Sequence, residues 1–444
     1  AHKLRGLRLQ PPLFLSPNGG SLRRLPALPS TKCLCWPRTR NKPAILHRQT
    51  VDPEFVAKVV QNSVISLFPN FCMQVPALVR QMVLPPLPLR PASAIYRFLV
   101  LTLFLPVFLM LQLFQWLGLL LDEIFFRRYR NVDIKQPVFI LGIPRSGTTY
   151  LHRLMARDTQ FTTFVTWECL FGLSVSWRRL FLCLARLDRA IGRPAERIIE
   201  ALDRWAFRRL DSVHPVRLTE PEEDYFCFMP ILRCFILILA FPRAGWLWPM
   251  GRLDQAISGK ERRRIAKWYR ACLQRHLYVH GADKTLLSKN AALAGMALTL
   301  AEEFPDCRIV DCRRAPSEVI ASQFDSLSGG MRAFGVTREH TGFRDRLLEQ
   351  LAFAYRNLDR LAGHMDQEAY CSVSMTRLAR DPGGVVASIY RRFGLKMSRD
   401  CRRRLSSLPT QPHRARDLPD LARWGVDNAL LNGIFASDDQ VREC

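Results

Sequence analysis

The chain has 444 residues, a formal net charge of +26 and 48% hydrophobic residues. This apolar fraction fills the core of one large domain or two average ones, so it excludes a largely disordered polyelectrolyte. The positive charge indicates an anionic partner, either nucleic acid, an acidic membrane surface or an anionic cofactor, although an arginine-rich genome produces the same surplus. Because no nucleic-acid-binding motif occurs, we do not expect nucleic acid to be that partner.

The first fifty residues differ in composition from the rest of the chain. They contain ten Lys or Arg, seven Pro and no acidic residue. Such a segment does not build a core, so residues 1–50 are predicted to be disordered or a targeting segment. An upstream translation artefact is a third explanation, since the sequence begins at Ala1. Residues 51–97 are a proline-rich lead-in, with a helix predicted over 51–68.

Thirteen cysteines are dispersed along the chain without a Cys-x-x-Cys pair or a zinc-ligand spacing. This pattern favours reduced thiols in a reducing compartment, and it predicts no metal site. A lumenal enzyme with a few buried disulfides is the alternative.

Residues 98–121 contain no charged side chain. As a helix this stretch would be about 36 Å long, which exceeds the roughly 30 Å hydrocarbon core of a bilayer. It predicts a hydrophobic, membrane-embedded helix; a helix buried in a soluble fold or lying on a membrane surface is the alternative. The basic residues on both sides leave the orientation open.

From residue 132 onward, apolar strands alternate with helices. Short apolar runs predict strands over 137–142, 308–312 and 370–375. The predicted helices are 148–157, 178–210, 260–279, 293–304, one opening at Pro316, and 382–393. Strands that alternate with helices indicate a parallel sheet, so the expected fold is α/β with three layers and a central parallel sheet.

The segment Gly142-Ile-Pro-Arg-Ser-Gly-Thr-Thr149 follows the first strand and opens a helix. Its glycines have the spacing of a Walker A phosphate-binding loop, and the N–H groups at the start of a helix bind phosphate. Thr148 stands where a nucleoside triphosphatase has its lysine, and a cation stands inside the loop at Arg145. The loop therefore predicts an anion site but argues against a kinase or ATPase.

The same loop resembles the 5′-phosphosulfate loop of sulfotransferases that use 3′-phosphoadenosine 5′-phosphosulfate (PAPS). The likeness is to bacterial-type sulfotransferases, which are related to tyrosylprotein sulfotransferases, and it covers about residues 129–395. Segments resembling later family motifs follow in the expected order. They are Lys289 in Leu286–Asn290, Arg314 with Ser322, the pair His214-Pro215, the acidic cluster Glu220–Asp224, and Arg380–Pro382 with Ile389–Gly394. Departures from the family pattern occur at Ala291, Ala315 and Met375.

The resemblance implies PAPS as sulfuryl donor, no metal, and the following site. The donor-binding residues are Pro144, Arg145, Ser146, Gly147, Thr148, Thr149, Arg314 and Ser322. Arg145 and Lys289 would stabilise charge in the transition state. A hydroxyl acceptor, or an amine, requires a general base, and Glu168 and His214 are equal candidates.

The sequence leaves the acceptor open between a small molecule, a glycan, a lipid and a protein. The apolar run 231–242 with Trp246 and Trp248 either lines an acceptor pocket or packs in the core. The predicted catalytic domain is 129–444. We expect a membrane-associated protein with this domain in the cytoplasm; the Golgi lumen or another organelle is the alternative. Two rival functions are a non-catalytic binding protein of the same fold and another P-loop transferase such as a kinase.

Overall fold

The computed structural model describes residues 64–83, 91–207, 217–336, 341–407 and 421–435. Residues 1–50, predicted as a disordered or targeting segment, lie outside the described residues, as does most of the helix predicted over 51–68. The part of that helix that is described, Val64–Leu67, is a 3₁₀ turn.

Five strands form one sheet in which every pair of neighbours is parallel. They are β1 (Val138–Gly142), β2 (Phe161–Thr162), β3 (Thr285–Lys289), β4 (Arg308–Arg313) and β5 (Tyr370–Ser374). The order across the sheet is β2-β3-β1-β4-β5. The predictions of β1, β4 and β5 are confirmed, whereas β2 and β3 were not predicted as strands.

The helices surround this sheet. Those of the first half are α1 (Phe68–Val83), α2 (Pro91–Phe125), α3 (Thr148–Met155), α4 (Thr166–Leu170), α5 (Val175–Ala190), α6 (Pro194–Phe207) and α7 (Leu253–Ala256). Those of the second half are α8 (Gly259–His280), α9 (Ala297–Glu303), α10 (Pro316–Ala333), α11 (Thr341–His364), α12 (Met375–Arg380), α13 (Pro382–Arg392), α14 (Arg399–Ser406) and α15 (Asn428–Phe435).

The sheet lies between two apolar clusters. Alternate residues of β1 point to opposite faces: Val138 and Ile140 pack with α3 and α13, while Phe139 and Leu141 pack with the cluster that includes α8, α10 and α11. All five residues of β1 are buried, as expected for a parallel strand covered on both sides. The predicted three-layer α/β fold is therefore confirmed.

Two predicted helices differ from the observed ones. The helix predicted over 178–210 is two helices, because Gly192 and Arg193 take positive φ and Asp188 accepts backbone N–H bonds from Ala195 and Glu196 at the start of α6. The helix predicted over 293–304 begins as a 3₁₀ turn over Ala291–Met296 and becomes α-helical only in α9.

The uncharged run 98–121 lies inside α2, which has 35 residues. The segment Ala92–Phe125 is long and apolar enough to cross a membrane by length and composition. One face of α2 packs on the domain: Arg97, Leu101, Leu105 and Asp122 are all buried there. The predicted hydrophobic helix is therefore present, and one face of it is packed against the α/β domain.

Candidate active site

The connections that leave β1 and β4, which are neighbours in the sheet, run to opposite sides of it. The connection from β1 leads to β2, beyond β3, whereas the connection from β4 leads to β5 on the opposite side. Parallel α/β sheets bind ligands beyond the carboxyl ends of strands at such a switch point. The loops that follow β1 and β4 are therefore the expected walls of a site.

At two positions in the loop after β1, the backbone has a conformation that only glycine fits. Gly142 has a φ of 131° and Gly147 a φ of 86°. A Cβ at Gly142 would lie 2.4 Å from the carbonyl oxygen of Cys312, and one at Gly147 would lie 2.5 Å from Sδ of Met375. The loop thus passes close to β4 and α12 before α3 begins at Thr148.

Arg145 joins the loop after β1 to the segment after β4. Its φ is 71°, and its Nε donates a hydrogen bond to Oγ of Ser322 at 3.0 Å. Arg314 donates from Nη1 to the carbonyl oxygen of Arg145 at 3.2 Å and from Nε to Glu318 at 2.7 Å. The residues predicted to hold the two ends of the donor therefore lie next to one another.

The hydroxyl groups of the loop suit an anion. Ser146 is fully buried, and its Oγ has no hydrogen-bond partner among the described residues. Thr148 is buried at the first position of α3, and Thr149 and Pro144 are half-buried. A buried hydroxyl without a partner is costly unless a ligand or water completes it, so these residues fit the phosphate group that the loop predicts.

Lys289 lies at the carboxyl end of β3, next to β1. Its side chain is 1% exposed and pairs with the carboxylate of Glu223. Next to this pair Asp224 accepts hydrogen bonds from Tyr269 at 2.7 Å and Asn290 at 3.1 Å, and burial raises the pKa of Asp224 to about 6. An acidic cluster therefore holds Lys289, the lysine predicted to stabilise charge in the transition state, at the edge of the site.

Glu168, one of the two candidate bases, is 1% exposed and lies among cationic and polar partners. Arg178 approaches it at 3.4 Å, Nδ1 of His276 lies 3.5 Å away, and His280 bonds to its other oxygen. Burial by itself would raise the pKa of Glu168, but Arg178 and His276 hold that pKa well below its ordinary value. A carboxylate with these contacts is a weak proton acceptor.

The same three side chains have the ligand types of a metal site. The ligand atoms of Glu168, His276 and His280 lie within 4.8 Å of one another. The guanidinium of Arg178 is fully buried beside them, 4.9 Å over the ring of Phe164. Because this cation already neutralises Glu168, a divalent ion would add a second buried positive charge, and we assign the cluster to an ion pair.

His214, the other candidate base, lies in residues 208–216, outside the described residues. The role of His214 as general base therefore stays a prediction. Of the residues around it, the acidic cluster Glu220–Asp224 is described and lies at the site, because Glu223 reaches Lys289.

An apolar cavity of about 150 Å³ opens beside the loop. Pro144 of the loop and Glu223, the partner of Lys289, line it together with Phe235, Ile236, Leu351 and other mainly apolar side chains. The run 231–242 therefore contributes to both alternatives weighed from the sequence, because Phe235 and Ile236 line the cavity whereas Leu237 and Ile238 are buried in the core. Trp248, outside the run, is also buried in the core.

The profile of the sulfotransferase family matches residues 137–399, which is more than half of the chain. The chain belongs to the sulfotransferase family. This confirms the resemblance predicted from the phosphate loop, and it makes the protein a transferase of the sulfuryl-transferring class.

This sulfotransferase resembles other characterised members. It is 25% identical over 287 residues to the omega-hydroxy-beta-dihydromenaquinone-9 sulfotransferase Stf3 of Mycobacterium bovis and of Mycobacterium tuberculosis, covering 63% of this chain and 68% of theirs. Its fold matches the crystal structure of sulfotransferase STF9 from Mycobacterium avium, with a TM-score of 0.61, 17% identity and coverage of 86% and 98%. It also matches sulfotransferase STF1 from Mycobacterium tuberculosis, with a TM-score of 0.57, 18% identity and coverage of 84% and 98%.

One residue of this sulfotransferase site was not singled out from the sequence. Glu223 pairs with Lys289 and lines the cavity, yet the sequence shows it only as one of four acids in Glu220–Asp224. Nothing local distinguishes Glu223 from Glu222, because only the fold decides which carboxylate meets β3.

Proposed function

We propose that this sulfotransferase moves the sulfuryl group of PAPS to a hydroxyl group on an apolar, lipid-like acceptor. The observation that carries the proposal is the hydrogen bond between Arg145 and Ser322, together with the bond from Arg314 to the Arg145 carbonyl. These bonds unite an anion-binding loop with a second arginine, and PAPS carries anionic groups at both its 5′ and 3′ positions.

Each group in the site has a role in this proposal. The loop N–H groups, Ser146, Thr148 and Thr149 hold the 5′-phosphosulfate, and Arg314 with Ser322 holds the 3′-phosphate. Arg145 and Lys289 stabilise the charge that spreads over the transferred oxygens. Because Lys289 is buried and held by Glu223, its ammonium group is positioned before the donor arrives.

The reaction breaks the bond between sulfur and the bridging phosphate oxygen and forms a bond between sulfur and the acceptor oxygen. The acceptor proton leaves to a general base. His214 and Glu168 remain the two proposed bases. The contacts of Glu168 favour a structural role, because Arg178 and two histidines already contact its oxygens. We therefore favour His214 as the general base.

Two observations support an apolar acceptor rather than a glycan. The cavity beside Pro144 and Glu223 is lined mainly by apolar side chains, which would leave sugar hydroxyls without partners. A relative of 25% identity is named for a menaquinone-derived acceptor. A lipid-like acceptor also agrees with the predicted membrane association, which α2 alone suggests only weakly.

Ligand-induced thermal stabilisation of the full chain tests the donor assignment. Adenosine 3′,5′-bisphosphate (PAP) and ATP with Mg²⁺ are titrated against wild type, Arg145→Ala and Arg314→Ala. A ligand at one hundred times its Kd stabilises the folded state by about 2.7 kcal/mol. We expect PAP to raise the Tm of wild type, and both variants to reduce that shift.

The other outcomes separate the rivals. A shift with ATP–Mg²⁺ and none with PAP would contradict the proposal and favour a kinase. A shift with PAP, but no transfer from PAPS to any long-chain alcohol, would favour the non-catalytic binding protein of the same fold.

A further inference from the structure

The helix α2 carries all of its charged and amide side chains on its buried side, among apolar side chains such as Leu101 and Leu105, whereas its exposed side is almost entirely apolar. Its buried face includes Arg97, Gln112, Gln115, Asp122 and Glu123. Its exposed positions from residue 95 to residue 125 carry no charge, and the large apolar side chains among them are Ile95, Tyr96, Phe98, Leu99, Leu103, Val107, Met110, Leu113, Leu117, Leu120, Ile124 and Phe125. This stripe is about 45 Å long. A helix facing water has the opposite pattern.

The apolar surface continues onto α5 and α6. Trp177 of α5 stacks on Phe114 of α2 at 4.4 Å and donates a hydrogen bond to its carbonyl oxygen, so the two helices lie side by side. The exposed side chains of these helices and their junction include Leu180, Leu184, Leu187, Ile191, Ile198, Ile199 and Leu202. Among the described residues, all the large exposed apolar side chains except Tyr150 and Phe171 lie on α1, α2, α5, α6 or directly after α5.

Both ends of α2 are anchored to the same domain. Arg97 donates to the carbonyl oxygens of Phe334 and Ala240 at one end. Asp122, about 37 Å further along the helix, pairs with Arg275 and accepts the N–H groups of Val175 and Ser176. A bilayer crossing would break one of these anchors or draw the domain into the hydrocarbon. The anchors therefore favour a helix that lies along a membrane surface.

The border of this surface is basic along the end of α2 and along α5, whereas α6 carries the exposed acids Glu196 and Glu200 as well as bases. Arg127 and Arg128 follow α2, and Arg179, Arg186 and Arg189 are exposed on α5. Arginine beside an exposed apolar face is the arrangement by which interfacial helices bind anionic lipid headgroups. This charge pattern distinguishes a lipid surface from a second copy of the chain, which would bring the same basic border against itself.

We propose that the exposed face of α2, continued by α5 and α6, is a monotopic docking surface that inserts into one leaflet of an anionic membrane. This deepens the proposed function, since a lipid-like acceptor would be taken from that leaflet. It stands on a different observation, however, and does not require transfer activity.

Vesicle cosedimentation with the full chain tests the docking surface. The variant Leu103→Glu/Met110→Glu/Leu117→Glu changes three positions of the stripe that are 75%, 66% and 48% exposed. We expect wild type to bind phosphatidylcholine–phosphatidylglycerol vesicles, and the variant to partition at least about tenfold less. The matched control Gln367→Glu/Ser406→Glu/Ser407→Glu adds the same charge at exposed positions outside this surface and should bind like wild type.

Thermal unfolding of each variant checks that it is folded; serine at the same three positions replaces glutamate if it is not. Equal binding by variant and control, or no binding by wild type, overturns the proposal. A concentration-dependent dimer that the variant abolishes, without vesicle binding, would assign the face to a second copy. PAP stabilisation should be unchanged in the variant, so failure of docking and failure of the donor assignment are distinguished.

Side-selective labelling distinguishes docking from crossing. In a background in which Cys33, Cys35, Cys72, Cys183 and Cys444 are replaced, cysteine is introduced by Ala92→Cys or Arg128→Cys at the two ends of α2. A membrane-impermeant maleimide should label both ends from the same side of the vesicles to which the protein was added. Labelling from opposite sides would overturn the surface orientation and establish a transmembrane helix.

Discussion

Arg145 donates a hydrogen bond to Ser322, although 177 residues separate the two in the chain. The bond forms because β1 and β4 are neighbours in the sheet, with Gly142 opposite Cys312. It joins the two segments that the family resemblance assigns to opposite ends of PAPS.

This pair predicts coupled effects on donor binding. Arg145→Ala should weaken PAP binding about 10- to 100-fold, because a hydrogen bond to a charged group contributes about 1.5–3 kcal/mol. Ser322→Ala should have a smaller effect, and the double variant should lose less than the two losses combined. Titration calorimetry measures all three, with exposed Arg399→Ala as the control. Fully additive losses would show that the two side chains act separately on the ligand.

Gly147→Ala tests the backbone of the loop. The positive φ costs an L-residue about 1–2 kcal/mol, and the new methyl group meets Met375. We expect a lower free energy of unfolding and weaker PAP binding. Adding Met375→Ala should recover only the part due to the contact. Gly329→Ala, in the interior of α10 with open space around it, should be neutral or slightly stabilising. An equal loss at both glycines would contradict the assigned strain.

Glu168→Gln separates the two roles weighed for this residue. In the ion-pair role, the substitution leaves Arg178 buried without its counter-charge and should cost about 3–5 kcal/mol in unfolding free energy. Chemical denaturation measures this loss. Glu196→Gln, at the exposed pair with Arg193, should cost about 0–1 kcal/mol. A Glu168→Gln protein with wild-type stability and no turnover would instead identify Glu168 as the base.

The cavity predicts a specificity change. Ala292 is half-buried and lines the cavity, so Ala292→Phe should fill part of the space beside the loop. We expect the KM for a long-chain alcohol acceptor to rise by about tenfold or more, since several methylenes lose their burial. The Kd for PAP should stay the same. Ala301→Phe, half-buried outside the cavity lining, is the control, and equal effects of the two would argue against this acceptor site.

Stability should fall below about pH 6.5. Burial lowers the pKa of His152 to about 3 and that of His276 to about 4, against about 6.5 in the unfolded chain. The unfolded state therefore binds two protons that the folded state does not. Asp224 acts in the opposite direction, because burial raises its folded pKa to about 6. Between pH 6 and pH 5 the net difference is about one proton, or about 1.4 kcal/mol per pH unit. Below that range Glu168 adds to the loss, because its folded pKa is held well below its ordinary value.

Urea denaturation at several pH values measures this slope. His152→Gln should flatten it between pH 6 and pH 4, because one of the two histidines no longer titrates. The exposed His364→Gln is the control. An unchanged slope in His152→Gln would show that His152 is protonated in the folded protein.

The phosphate loop and the fold class could be predicted from the sequence alone. An apolar strand, two glycines, an internal arginine and a following helix are local features, and so is the positive φ at Gly142 and Gly147. The contacts with Cys312 and Met375 that also exclude a side chain at these glycines come from distant segments and could not be predicted. The alternation of strands and helices likewise predicts a parallel sheet. Each helix returns the chain to the end of the sheet at which the preceding strand began, so the next strand runs in the same direction.

The ion pairs around the site could be known only from the tertiary structure. Glu168, Glu222 and Glu223 are equivalent acids in the sequence, yet one is buried against Arg178 and another meets Lys289 across 66 residues. β3 was not predicted, because Thr285–Lys289 ends in a lysine whose burial depends on Glu223. In α2, hydropathy predicts an apolar helix, but only packing shows that all of its charged and amide side chains face the domain and that an uncharged apolar side faces outward.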